Sequence, residues 1–410
     1  MFRISWAVLA LLAAPAAAMA QDQQTLEERV KELERKLAQQ PASNPATAFN
    51  PTITVVGNML WRIDDRNVHV GGDPTAPRID DTFNVREVEL DLRSSVDPYV
   101  DAVAILSVES EVAGEFGIGV EEFYATIKSL PFGFWESPPL ATKIKVGRWR
   151  ADFGRINRLH LHDLPQSTLG MTVQDFFGEE GYIGTGIGTS SILTSVGDSG
   201  ILQLNLNLFQ GGGTDLAPDT HVPAYLASLN YFMEIAEGHS IDVSLYGHYG
   251  GTDKIGHQRH AKTVSLDALY KWKPAKEGEW NSFLVGAQVI KTDRDFVDSV
   301  DTDADGIPDT FNARNSDAMG FLAWTQYQLD RRWYVGVRYD QSELITDDSL
   351  DHSRITPYVS CYLSEFFRIR ASVERTLSSD IKAEDDRTTF MFEINVIFGA
   401  HPPHPFWVNR

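Results

Sequence analysis

One long loop of the chain carries the side chains best suited to bind a transition metal. His160, His162 and Asp163 lie together in it, and imidazole and carboxylate groups are common ligands of Zn²⁺ and Cu²⁺. Because His-x-His in an extended segment can present both rings to one ion, these three residues are the candidate zinc site. His401 and His404 add two imidazoles after the last strand. The alternative is that His160 and His162 only form hydrogen bonds within a folded loop.

A run of aspartates forms a second candidate metal site. Asp301, Asp303, Asp305 and Asp309 alternate around Gly306, which places several hard oxygen ligands around one centre, as Ca²⁺ requires. The run lacks the final Glu and the flanking helices of an EF-hand, and it resembles the calcium loops of thrombospondin-type repeats. The alternative is an acidic loop that is simply solvated.

Charged side chains of both signs crowd the loop 150–181. If this loop enters a barrel lumen, its charges create a transverse field that filters solutes by sign and dipole. The alternative is that they tie the loop to the barrel wall through salt bridges, and both roles are compatible. The predicted constriction residues are Arg148, Arg150, Asp152, Arg155, Arg158, Asp175, Glu179 and Glu180.

The composition excludes several classes of function. The 410 residues carry a formal charge of −21, and a nucleic-acid partner needs clustered Lys and Arg instead. Cys361 is the one cysteine, so an internal disulfide framework is excluded. No Gly-x-Ser-x-Gly nucleophile elbow occurs. We therefore expect a protein that is not an enzyme and requires no cofactor, with Ca²⁺ and Zn²⁺ as the candidate ions.

The N-terminal segment predicts export. Residues 1–20 combine a basic start, an apolar stretch and a small-x-small cleavage site, which is typical of a signal peptide. Residues 21–40 follow as a short periplasmic coiled-coil helix with an apolar seam of leucine and valine, or as a solvated amphipathic leader. Residues 41–50 form a Pro-containing linker.

The rest of the chain predicts a transmembrane antiparallel β-barrel of about sixteen strands, spanning 51–398. Segments with alternating apolar and polar side chains recur at the length that tilted membrane-spanning strands require, roughly 9–11 residues. Long and short connections alternate, as they do in outer-membrane barrels. The predicted strands are 51–63, 83–95, 99–110, 119–129, 141–149, 182–193, 200–210, 222–234, 239–250, 261–273, 280–291, 318–329, 332–343, 353–363, 365–377 and 387–398.

The polar face of these strands carries many ions. Since a packed interior tolerates few unpaired charges, this face predicts a lumen filled with water. Residues 399–410 then form a periplasmic tail. The predicted lumen residues are Glu87, Glu89, Asp91, Lys143, Lys145, Arg338, Arg368 and Arg370.

The exported coiled-coil leader, the Pro-containing linker and the sixteen-strand pattern together resemble trimeric outer-membrane porins, especially the phosphate-selective porins. The resemblance implies a homotrimer in outer-membrane lipid, with loop 150–181 folded into the lumen as the constriction. The Lys-rich loop on which phosphate selectivity rests in that family has no counterpart here. The segment 147–165 and the tail 398–406 also resemble poorly characterised zinc-regulated or receptor-like outer-membrane barrels.

These observations predict a porin-like channel of the bacterial outer membrane for passive diffusion of small hydrophilic solutes or ions, with a weak cation preference. The first alternative is a zinc-linked outer-membrane receptor or transporter. The second is a calcium-binding surface barrel with an adhesive or structural role.

Overall fold

The computed structural model describes residues 51–70, 75–110, 112–196, 200–253, 257–274, 280–300, 310–378, 386–400 and 405–409. The predicted signal peptide, coiled-coil helix and linker lie outside these ranges. So do the calcium loop 301–309 and the tail histidines His401 and His404. Those assignments therefore stay predictions.

The described residues form one closed antiparallel barrel. Strands adjacent in sequence pair with each other, except that β12 and β13 both pair with β11, and β1 pairs with β17 from Thr54↔Gly399 to Asp64↔Thr389, which closes the sheet. The strands are β1 Thr52–Asp64, β2 Phe83–Ser95, β3 Val100–Glu109, β4 Gly117–Ile127, β5 Lys143–Arg150, β6 Ile183–Val196, β7 Gly200–Phe209, β8 Ala224–Ala236, β9 His239–Gly251, β10 His260–Trp272, β11 Ser282–Val300, β12 Thr310–Ser316, β13 Met319–Gln328, β14 Trp333–Leu344, β15 Asp347–Ser364, β16 Phe367–Ser378 and β17 Arg387–Gly399.

The seventeen strands of the described ranges occupy sixteen positions around the barrel. Both β12 and β13 pair with the long strand β11, one after the other along its length. They therefore occupy one position around the barrel. The prediction of an antiparallel barrel of about sixteen strands is confirmed.

The barrel is apolar outside and polar inside. On β10, Thr263 and Asp267 are 1% and 4% exposed, whereas the intervening Val264 and Leu266 are 58% and 50% exposed. On β7, Asn205 is buried while Leu206 and Leu208 are exposed. Water outside the barrel would favour the opposite arrangement, because exposed apolar area costs free energy. The outer surface is therefore suited to lipid.

Two hairpins extend further than the sequence pattern predicts. The predicted gap 292–317 contains the end of β11 and all of β12, and β15 begins at Asp347 instead of residue 353. These extensions are rich in polar residues, and Phe311 and Arg314 on β12 are both exposed. A strand with solvent on both faces has no apolar alternation to detect, so the loop assignment there was wrong.

The segment 151–182 between β5 and β6, here called the inner loop, holds the main helical structure. It contains the 3₁₀ turns Ile156–Arg158 and Leu161–Asp163 and the short helix α1, Met171–Phe177. Two further 3₁₀ turns, Gly133–Trp135 and Pro139–Ala141, lie between β4 and β5. In the described part of the chain, no helix has the length and apolar character needed to cross a membrane.

Replacing Gly147 with valine should destabilise the barrel wall. Gly147 has φ +135°, and a Cβ there would lie 2.1 Å from the Phe123 carbonyl oxygen. The strain should lower the free energy of unfolding by about 1–3 kcal/mol or more, measured by urea titration in lipid vesicles. Gly57→Val is the matched control, because a Cβ added at Gly57 would meet no atom within 4 Å. Equal free energies of unfolding for the two variants would contradict the close approach of Gly147 to the Phe123 carbonyl oxygen.

Candidate functional site

The inner loop lies inside the barrel, as the porin resemblance implies. Its apolar residues Phe153, Val173 and Phe176 are buried in the main hydrophobic cluster. Its polar groups reach the walls: Thr172 Oγ1 donates a hydrogen bond to the Phe321 carbonyl oxygen of β13 at 2.9 Å. The loop therefore crosses the lumen and contacts strands distant from its own.

Three arginines of β14 and β16, here called the basic wall, hold one side of the loop. Arg338, Arg368 and Arg370 each donate to loop carbonyl oxygens at 2.6–2.7 Å. The carbonyls belong to His162, Leu164, Gln166 and Thr168. These carbonyls belong to alternate residues of a segment that contains a 3₁₀ turn and bends, and all four point at the guanidinium groups.

Glu393 of β17 balances part of this positive charge. It is fully buried, and its carboxylate lies 2.7 Å from Arg368 and 3.2 Å from Arg370. Arg338 is paired in the same way with Asp340 at 2.7 Å. Charge-assisted hydrogen bonds of this kind are about twice as strong as neutral ones. The basic wall is therefore a paired network in which the loop backbone supplies the remaining acceptors.

The prediction that the charged lumen residues line a water-filled channel is wrong for most of them. Glu87, Glu89, Asp91, Arg338, Arg368 and Arg370 are only 1–4% exposed. Burial is tolerated because ion partners and loop carbonyls replace water. The two lysines differ: Lys143 is exposed, and half-buried Lys145 lies 3.9 Å from the Tyr124 ring centroid.

Four glutamates of β2 and β4, here called the acidic wall, face the other side of the loop. They are Glu87, Glu89, Glu121 and Glu122, all buried. Glu121 and Glu122 are consecutive, and both face inward because the register shifts by one residue opposite Ile105 and Leu106. Such a β-bulge re-aims a side chain without ending the strand. The two walls place opposite charge on separate sectors of the barrel lining around the inner loop.

His160 and His162 project from the loop into the acidic wall. His160 Nδ1 lies 2.9 Å from Glu121 Oε2 and 3.1 Å from Glu89 Oε2, and its Nε2 lies 3.3 Å from Glu122 Oε1. The two imidazole rings are stacked, with centroids 5.9 Å apart. The structure thus brings the two predicted zinc ligands together. Asp163 lies beside the opposite edge of the His162 ring, 3.7 Å from Nε2.

The acidic wall determines the protonation of both histidines. Burial alone would lower the pKa of His160, but the Glu89 carboxylate and contacts with Glu121 and Glu122 raise it well above its ordinary value. Burial likewise opposes protonation of His162, and Glu89, Asp163 and Glu87 raise its pKa. The site therefore favours positive charge at these rings.

Five of the predicted constriction residues form ion pairs: Arg155 and Asp175 join the inner loop to the wall, Arg150 joins β5 to β4, and Arg158 with Asp152 forms a pair within the loop. The pairs are Arg150–Glu121 at 2.8 Å, Arg155–Asp242 at 3.0 Å, Arg155–Asp267 at 3.1 Å, Arg158–Asp152 at 3.2 Å and His352–Asp175 at 2.6 Å. This geometry matches the salt-bridge alternative considered from the sequence. Glu179 and Glu180 remain exposed.

Arg148 does not belong to the constriction. It pairs in register with Phe123, which is exposed on the outer face, and its Nε donates to the Val120 carbonyl oxygen at 3.0 Å. Directly opposed residues of an antiparallel pair share a face. Arg148 therefore faces outward from β5, and its assignment as a constriction residue was wrong.

A cavity of about 430 Å³ lies between the inner loop and strands β1–β4, here called the vestibule. It lies toward the barrel rim that carries the long loops, since Glu109 and Arg387 at strand ends line it. Side chains of both signs face it: Arg62, Arg86, Arg150, Arg387, Glu87, Glu109, Glu121, Glu179 and Glu180. Burial and the Glu109 carboxylate raise the pKa of Glu180.

Residues 405–409 also occupy the lumen, which corrects their assignment to a periplasmic tail. Trp407 is fully buried, and its Nε1 donates to the Asp163 carbonyl oxygen of the inner loop at 2.6 Å. The Asn409 carbonyl oxygen accepts hydrogen bonds from Gln328 and Tyr334, both at 3.0 Å. Sequence reasoning missed these residues, although the aromatic pair Phe406 and Trp407 after the last strand was a usable signal.

A second histidine cluster lies in two loops at the rim. His257 Nδ1 is 2.6 Å and His221 Nδ1 is 3.5 Å from the buried carboxylate of Asp219. Burial opposes ionisation of Asp219, but the hydrogen bond with His257 lowers its pKa. Both histidines are exposed, and His257 lies 38 residues after Asp219, so spacing did not reveal the cluster.

Comparisons with known proteins identify the fold class. No protein-family model matches the chain. It is 26% identical over 362 residues to an uncharacterised protein of Aquifex aeolicus, a match that covers 79% of this chain and 70% of that protein.

Two solved structures are similar at 12% identity. The anion-selective porin from Comamonas acidovorans has a TM-score of 0.53, with 85% of this chain and 99% of that chain covered. Salmonella typhi OmpF in complex with daunomycin has a TM-score of 0.52, with 85% and 97% covered. At this identity the likeness shows the fold alone, and the chain has the porin-type barrel fold.

Replacing Arg370 with lysine should loosen the inner loop while keeping the positive charge beside Glu393. Lysine cannot reproduce the forked contacts with the Leu164 and Gln166 carbonyls, and hydrogen bonds to charged groups contribute about 1.5–3 kcal/mol each. Hydrogen exchange of loop amides should accelerate by about tenfold or more. Arg375→Lys on the same strand is the control, because Arg375 bonds Thr388 instead of the loop. Equal exchange in both variants would argue against the basic wall as the anchor.

Proposed function

We propose that the protein is a porin-like channel of the bacterial outer membrane through which small hydrophilic solutes or ions diffuse passively. The observation that carries this proposal is the inner loop held across a polar lumen between a basic and an acidic wall. A transverse field in a low-dielectric enclosure orients dipolar solutes and excludes apolar ones. The vestibule supplies an entrance of suitable size and polarity.

We also propose that the protein lies in outer-membrane lipid and assembles as a homotrimer. The predicted signal peptide and the apolar outer surface favour outer-membrane lipid as the surroundings. A homotrimer is favoured by the outer face of β4 and β5, where Arg148 lies beside exposed Phe123 and Val120. A lipid-facing arginine costs roughly 2–4 kcal/mol at the bilayer midplane and less near the interface, so a second copy of the chain covering this face would be stabilising.

A second candidate is the metal-linked receptor or transporter, and the convergence of His160, His162 and Glu89 favours it. Passive diffusion requires no catalytic group, and we propose no enzymatic activity. In planar bilayers the channel hypothesis expects ohmic conductance that scales with bulk electrolyte. The absence of conductance in this assay, together with zinc-dependent growth of a strain that lacks the gene, would favour the receptor instead.

Trp407→Ala should raise single-channel conductance. The indole packs against Tyr334, Tyr362 and the loop backbone, so its removal opens space between the inner loop and the basic wall. Trp61→Ala on the exposed outer face is the control and should conduct like the wild type. If both variants match the wild-type conductance, the ion path does not run past Trp407.

Replacing Glu179 and Glu180 with glutamine should weaken the expected cation preference. Both carboxylates border the vestibule, and local charge at an entrance determines ionic selectivity more than net charge does. Reversal potentials in a potassium chloride gradient should shift toward the anion side. Glu115→Gln with Glu136→Gln removes the same charge at exposed turns outside the vestibule lining and should leave the potential unchanged. An identical shift of the reversal potential in both variants would show that net charge, and not local charge at the vestibule, determines the selectivity.

A further inference from the structure

Five buried side chains converge where the inner loop meets the acidic wall. They are Glu87, Glu89, Glu121, His160 and His162, here called the histidine–glutamate cluster. Glu89 Oε2 lies at its centre, 3.1 Å from His160 Nδ1 and 3.4 Å from His162 Nδ1. Two overlapping sets, one with each histidine, have all their ligand atoms within 4.8 Å of one another.

Four atoms of this cluster lack a normal hydrogen bond within the described residues. They are Glu87 Oε2, Glu89 Oε2, His160 Nδ1 and His162 Nδ1. Each residue is more than nine-tenths buried, and leaving a buried polar atom unsatisfied costs roughly 1–3 kcal/mol, more when it is charged. Four such atoms, in two sets that share Glu89, indicate a missing partner beside Glu89 Oε2.

The distances suit a transition-metal ion. Tetrahedral zinc with bonds of about 2.0–2.2 Å places neighbouring ligand atoms roughly 3.3–3.6 Å apart. The contacts of Glu89 Oε2 with the two Nδ1 atoms, at 3.1 and 3.4 Å, are near this spacing, and Glu121 Oε2 lies 2.9 Å from His160 Nδ1. Small side-chain adjustments would complete the coordination.

The outer contacts have the pattern that metal-bound histidines require. A ligating imidazole usually donates its other N–H to a carboxylate, which fixes the tautomer and ring orientation. His160 Nε2 faces Glu122 at 3.3 Å, and His162 Nε2 faces Asp163 at 3.7 Å. Asp163, predicted from the sequence as a ligand, lies beside a ligand instead, at a distance longer than a hydrogen bond.

We propose that the histidine–glutamate cluster binds one divalent transition-metal ion of the zinc type, and that this ion fastens the inner loop to the acidic wall. Two imidazoles and several carboxylates are ligands that such ions accept. The same negative field that favours positive charge at the rings attracts the cation. This inference does not depend on the protein being a channel.

Two protonated imidazoles are the competing account, because they would also neutralise the carboxylates. A hydrogen bond requires each N–H to point at its acceptor. Here both Nδ1 atoms approach the same Glu89 oxygen, and neither contact has hydrogen-bond geometry. A single ion bound by Glu89 Oε2, with both imidazoles moved toward it, would satisfy both rings and both carboxylates.

Zinc binding by the full chain, refolded in detergent, tests the proposal. The measurement uses a background with His221→Ala and His257→Ala, so that the rim cluster does not contribute. We expect one tightly held Zn²⁺ per chain by elemental analysis, and a cobalt-substituted form with a tetrahedral visible spectrum. Glu89→Gln, which conserves volume, should weaken zinc binding by roughly 10–100-fold or more while far-ultraviolet circular dichroism stays that of a folded barrel.

A double histidine replacement supplies the matched comparison. His160→Asn with His162→Asn should lose the ion. His69→Ala with His239→Ala should keep it, because those rings contact the Ala76 carbonyl and the Tyr270 hydroxyl instead. The proposal fails if the background protein holds no zinc, or if its zinc affinity survives both the Glu89 and the His160/His162 changes. Since the readout is metal content, a silent channel that retains zinc would overturn only the proposed function.

Discussion

The absence of water in a bilayer core is the constraint on which this architecture depends. Every backbone group of the wall must be paired within the protein, and pairing of β1 with β17 removes the last open edge. Once the sheet is closed and lipid covers the outside, nearly all charged side chains of the strands must face inward. The interior then has to accommodate more ions than a soluble core of the same size would contain.

The backbone of the inner loop supplies hydrogen-bond acceptors for these buried ions. A loop of apolar side chains alone would bury the arginines of β14 and β16 without enough acceptors, at a cost of several kcal/mol per ion. The segment 162–168 instead offers a carbonyl at every second residue, and the apolar residues Leu164 and Leu169 are buried in the hydrophobic cluster. One segment therefore crosses the lumen and completes the hydrogen bonding of the wall.

The strands could be predicted closely because lipid outside and polar groups inside impose a strict period of two. The predicted 83–95 coincides with β2, and most other boundaries differ by one to three residues. The interior could not be predicted in the same way. Alternation shows that Glu89 and Arg370 face the lumen, but not that a loop sixty or two hundred residues away in sequence covers them. The bulge that turns both Glu121 and Glu122 inward leaves no periodic signal either.

Three different kinds of contact hold the inner loop, and they constrain sequence differently. The basic wall binds backbone carbonyls, so substitutions between residues 162 and 168 can leave that anchor intact. The acidic wall binds the side chains of His160 and His162, and Trp407 binds the Asp163 carbonyl from the segment after β17. Changes at the histidines or at Trp407 can therefore alter the position of the loop on one side while the arginines keep it in the lumen. This division lets the opening beside the loop vary without loss of the fold.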